Sequence, residues 1–85
     1  MNRLFFFRYE RNRLLRGDDV TIMVRASEYE GVHKDQRVLA HTDRHAGVFE
    51  VVVVGVGASD SAGFLNITCR MVKEGRGAVT GPGVA

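Results

Sequence analysis

The 85-residue chain carries a formal net charge of +2 and has room for one domain, near the lower limit for folding without staples. Its single cysteine excludes an internal disulfide framework, and no apolar run approaches the ~20 residues that a membrane-spanning helix needs. The charge is uneven: residues 1–16 hold Arg3, Arg8, Arg11, Arg13 and Arg16 against Glu10 alone, which leaves the remainder net acidic.

Residues 4–9 read as a first strand. Phe5, Phe7 and Tyr9 would share one face, and Leu4 and Phe6 the other. A short helix running on through Leu14 and Leu15 is the competing reading, because periodicity cannot arbitrate over so short a stretch. With the strand preferred, Phe5 and Phe7 are expected in the core. A helical turn or loop then ends at Gly17-Asp18-Asp19, a stop signal. Val20, Ile22 and Val24 alternate with Thr21, Met23 and Arg25, which predicts a second strand. Residues 27–36 are polar and contain Gly31, as a loop with one turn of helix would. Residues 37–40 suit a short third strand, and residues 41–47 a connection.

Residues 48–72 are the densest structural signal. Val48, Phe49, Val51, Val52, Val53, Val54 and Val56 crowd nine positions, and β-branching favours a pleated, half-buried surface. Residues 57–63 supply a reversal of small and polar residues, after which Leu65, Ile67, Cys69 and Met71 alternate with Asn66, Thr68 and Arg70. A β-hairpin is predicted. Its rival is a helix over 58–72, supported by the stripe Ala58, Ala62, Leu65, Cys69 and Val72 but opposed by Gly63, Ile67 and Thr68. Cys69 sits in the alternation as a buried small hydrophobe rather than a reactive thiol. The expected fold is mainly β: a small five- or six-stranded, mostly antiparallel barrel or sandwich with at most one short helix. Residues 1–74 form its single domain, and residues 75–85 a glycine-rich tail too poor in apolar surface to order by itself.

Chemical motifs are weak. His41, Asp43 and His45 stand at i, i+2 and i+4 and would share one face of an extended strand, as a zinc or iron site requires. The string from His41 to Gly47 loosely resembles the His-x-His-x-Asp-His metal-binding loop of the metallo-β-lactamase family, which would imply metal-dependent hydrolysis. It lacks the middle histidine, is one residue short, and covers only seven residues. A polar connection without tight metal binding is therefore expected, with no cofactor. Gly55-Val56-Gly57 starts a dinucleotide fingerprint, but Asp60 stands where the third glycine belongs and would oppose a pyrophosphate. Arg16-Gly17-Asp18 and Asn66-Ile67-Thr68 spell adhesion and glycosylation motifs short enough to arise by chance. Ser27, Ser59, Ser61 and Cys69 have no local nucleophile signature, so no enzyme is expected.

The best binding signal is the mixture of arginine and aromatic residues at the N-terminus. Arg8, Arg11, Arg13 and Arg16 are the candidate contacts to an acidic protein surface or to nucleic acid, and are expected to be well exposed. The expected role is a non-enzymatic structural or interaction subunit of a larger particle or ribonucleoprotein-type assembly, intracellular, with other protein subunits as partners. It would dock through the basic arm, strand edges and the tail. The alternative is a small barrel that binds nucleic acid.

Overall fold

The computed structural model describes residues 3–43 and 47–72. Five strands, one α-helix and one 3-10 turn follow in the order β1 (Leu4–Phe6), α1 (Arg8–Leu15), β2 (Val20–Arg25), the turn Ala26–Glu28, β3 (Arg37–Thr42), β4 (Phe49–Ala58) and β5 (Phe64–Met71). The strands form one sheet in the order β1-β3-β4-β5-β2, nearly closed into a barrel. Every pairing is antiparallel except that of β1 with β3, so the sheet is mixed. The glycine-rich tail lies outside the described residues.

The valine-rich hairpin is the frame. In β4 and β5, Val53 stands opposite Cys69 and Val51 opposite Met71, but one residue further on the register slips and Gly55 pairs with Thr68. Val54 is the extra residue of a β-bulge. The slip has a chemical reason. Without it Gly55 and Gly57 would continue the inward series begun by Val51 and Val53; with it Val56 faces the fully buried Ile67 across the pair. Gly63 closes the hairpin at φ +83°, a left-handed conformation that glycine takes without steric cost. The rival helix over 58–72 does not form.

Leu4, Phe6, Leu14, Val20, Tyr29, Val38, Ala40, Val51, Val53, Ile67 and Cys69 make the core. Leu4 and Phe6 lie beside Ala40 and Thr42 of β3, a strand that runs two residues, His41 and Thr42, past its expected end at residue 40. Here the sequence expectation is reversed: Phe5 and Phe7 are on the outside, 39% and 52% exposed, whereas Leu4 and Phe6 are sealed. The strand also stops at Phe6 rather than near Tyr9, because α1 begins at Arg8. β1 is three residues long, and its parallel pairing places Leu4 and Phe6 on the same face as the buried Ala40 and Thr42, so this phase points inward.

α1 is polar, and only Leu14 is buried. Its ends are fixed instead by hydrogen bonds. The Phe7 amide donates to Glu10 Oε1 at 2.9 Å, one half of a capping box. At the other end the Gly17 and Asp18 amides donate to the Leu14 and Arg13 carbonyls, both at 3.0 Å, with Gly17 at φ +95°. That is a Schellman closure. A salt-linked clasp then holds the start of β2 to β5: Arg70 Nε and Nη2 reach the two carboxylate oxygens of Asp19 at 2.8 and 3.2 Å.

Candidate interaction surface

β1 and β2 are the two edges of the sheet, and among the described residues no backbone hydrogen bond joins them. Followed through the sheet, their directions are opposite. α1 bridges them at one end. At the other end Tyr29, which follows the 3-10 turn, donates its phenol hydrogen to the Arg3 carbonyl at 3.0 Å. Burial, and secondarily Glu28, pushes the Tyr29 phenol above its ordinary pKa, so it remains a donor at neutral pH. Between these two closures lies an open groove of about 620 Å³, lined by Phe5 and Phe7 on one side and residues 21–25 on the other.

An aromatic row leads out of this groove. His41 and Phe5 stand opposite each other on the outer face of the sheet, with ring centres 5.4 Å apart. Phe5 meets Phe7 edge-on at 5.1 Å, and Phe7 lies nearly parallel to Tyr9 at 6.0 Å with 9° between the rings. Tyr9 is 64% exposed. Burying aromatic faces of this kind against a partner releases far more surface from water than any surrounding polar residue can.

The four arginines divide. Arg8 and Arg16 are open, and Arg13 is close to half open, each in a loose contact with a carboxylate: Arg8 with Asp43 at 3.9 Å, Arg13 with Asp18 at 3.9 Å and Arg16 with Asp18 at 3.6 Å. Exposed pairs of such length contribute little to stability and leave the guanidiniums able to exchange partners. Arg11 departs from the expected exposure. Its guanidinium lies 5.5 Å over the Phe49 ring, it is half-buried, and its enclosed Nε finds no acceptor among the described residues. It covers the core rather than offering a free cation.

The metal-capable trio is only partly placed. His41 is the last but one residue of β3, on its outer face, and Asp43 follows the strand, but His45 lies outside the described residues. Among the described residues no group of three metal-capable side chains comes together. Cys69 is fully buried, and burial pushes its thiol up to about 12, so it stays protonated and unreactive at neutral pH. Asn66 lies within β5 rather than in a surface loop, and Arg16, Gly17 and Asp18 form the exposed turn that closes α1. No helix among the described residues is long and apolar enough to cross a membrane.

Sequence reasoning missed the groove, and Met23 and Phe64 with it. The clue was present: Met23 and Arg25 are outward residues of a strand that has no second neighbour among the described residues, but strand order cannot be read from alternation alone. Comparison with protein-family models, curated proteins and solved structures finds no match to this chain.

Proposed function

We propose that the protein is a non-enzymatic interaction subunit of a larger assembly, docking other protein subunits where its N-terminal segment meets the open edges of the sheet. The observation that carries this reading is the exposed row Phe5, Phe7 and Tyr9 beside an unclosed seam. A domain this small that leaves three neighbouring aromatic rings in water forfeits stabilisation a partner would restore. Strand edges without a second neighbour among the described residues flank the groove and offer directional hydrogen bonds to the same partner. Arg8, Arg13 and Arg16 surround the row as a polar, cationic rim that favours acidic partner surfaces.

A second reading has its own observation. The near-parallel Phe7 and Tyr9 rings with Arg8 between them in sequence make a platform on which nucleobases could stack, with guanidiniums for phosphates. Sedimentation velocity of the pure protein, alone and with a single-stranded oligonucleotide, separates the two. The assembly reading expects concentration-dependent species heavier than the 9.4 kDa monomer, unchanged by the oligonucleotide and dissociated by Phe7→Ser with Tyr9→Ser. A monomer that co-sediments with the oligonucleotide, less so as salt rises, replaces it with the second reading.

A further inference from the structure

The seam is more than a gap between two edges. Along β2 the inward side chains are Val20, Ile22 and Val24, since they stand opposite Cys69, Ile67 and Leu65. Val20 is sealed beneath α1, whereas Ile22 and Val24 are only half-buried and line the groove. The barrel interior is thus incompletely covered where its two edges face each other. Among the described residues β1 pairs only with β3 and β2 only with β5, so within that sheet both edges keep half their backbone donors and acceptors unpaired.

We infer that the groove receives one extended segment of a partner protein, which adds as a sixth strand beside β2 and covers Ile22 and Val24 with its own apolar side chains. The inference rests on the interaction-subunit reading and names the form of the partner. β2 is the longer edge, six residues against three in β1, so it sets the orientation: antiparallel to β2, the better pairing per residue. Alternation then demands apolar residues at every second position of the incoming strand.

The charges at the two ends of the groove fix its polarity. At the end where β2 finishes and β1 begins, Arg3 and Arg25 face Glu28 alone; at the α1 end stands Glu10. Arg25 is held there by its position over the Phe64 ring, 5.6 Å from the centroid. A segment antiparallel to β2 enters with its N-terminus beside Arg3 and Arg25. The matching ligand is an acidic residue, then alternating β-branched residues, then a basic residue beside Glu10.

The test uses the full chain and three blocked, fluorescein-labelled peptides read by anisotropy. Asp-Val-Thr-Val-Thr-Val-Lys should bind about fivefold more tightly than its charge-swapped form Lys-Val-Thr-Val-Thr-Val-Asp, the size one partly screened rim pair supplies. Asp-Val-Pro-Val-Pro-Val-Lys, unable to donate at two positions, should not bind. Arg25→Glu, a change at an exposed side chain, should invert the charge preference while leaving the melting temperature within a few degrees of the parent. Bound peptide should slow amide hydrogen exchange in residues 21–25. Equal binding of all three peptides, or binding without slowed exchange along β2, overturns strand addition. So does a peptide displaced by a second copy of the chain, which would make the occupant a dimer partner, or by an oligonucleotide. Self-association in the sedimentation experiment together with no peptide binding sinks the sixth strand alone and leaves the assembly reading standing.

Discussion

The two ends of this small barrel are closed by different means. At the α1 end, Phe6, Leu14, Val20 and Cys69 are sealed to 1% exposure or less, and the Asp19–Arg70 clasp ties β2 to β5 above them. At the opposite end of β2, Ile22 and Val24 are half open, and among the described residues a phenol-to-carbonyl hydrogen bond spans the seam. Apolar packing alone seals the first end; at the second, buried Leu4 and Tyr29 stand beside half-open residues and a polar contact bridges the seam. The lesson is that stability and docking are separated along the same two strands, with only one residue of phase between a core phenylalanine and an exposed one. The largest effect expected follows from that phase. Phe6→Ala should lower unfolding free energy by about 3–5 kcal/mol, the usual cost of emptying a fully buried aromatic site. Phe7→Ala, one residue away, should cost under about 1 kcal/mol because its ring is already half in water. Urea unfolding of the two variants measures this directly. Similar losses at both positions would mean that the exposed aromatic row is part of the core.

Much of the scaffold was legible in the sequence. β2 and the β4–β5 hairpin announce themselves because their apolar and polar residues alternate or cluster in β-branched runs, and Gly17 and Gly63 both mark the reversals where left-handed backbone is needed. The phase of β1 was not legible. Four apolar residues in succession satisfy either face, and the choice belongs to the parallel pairing with Ala40 and Thr42, a long-range contact that local pattern does not encode. α1 was half hidden for a related reason: with Leu14 as its only buried residue, it has almost no apolar stripe, and its ends are set by Glu10 and Gly17. The basic arm was visible as composition. That Arg11 would lie over Phe49 while Arg8, Arg13 and Arg16 stay open depends on which way the helix faces, and that follows from the same unread phase.

The open end should be the alkaline-sensitive one. The folded-state pKa of Tyr29 is raised, so its contribution is fully present below the ordinary phenol value of 10.0 and is lost as pH rises through the folded value. Ionisation removes the hydrogen donated to the Arg3 carbonyl and places a charge against a buried wall. Tyr29→Phe should cost about 0.5–1.5 kcal/mol at neutral pH, the usual net worth of one hydrogen bond, and should flatten the fall in stability above pH 10. Thermal melts between pH 8 and pH 11 test this. An unchanged alkaline slope in the variant would assign that slope to other groups and leave the seam held by packing alone.

The smallest expected effect lies at the closed end, with the opposite sign in pH. The Arg70 hydrogen bond holds the Asp19 carboxyl below its ordinary value of 3.8. A depressed carboxylate contributes stability that is present above the unfolded value and is lost as pH falls through the folded one. Both partners are exposed to water, so the contribution is heavily screened and should shrink further with added salt. Asp19→Asn should therefore leave the neutral melting temperature nearly unchanged and remove a shallow part of the loss below pH 4. The discriminating measurement is the same variant at low and high salt, because the core beneath the clasp is sealed whether or not the clasp forms. A large drop at neutral pH would show instead that Asp19 and Arg70 hold the start of β2 against β5, and that the sealed end, like the open one, relies on a polar contact beside its packing.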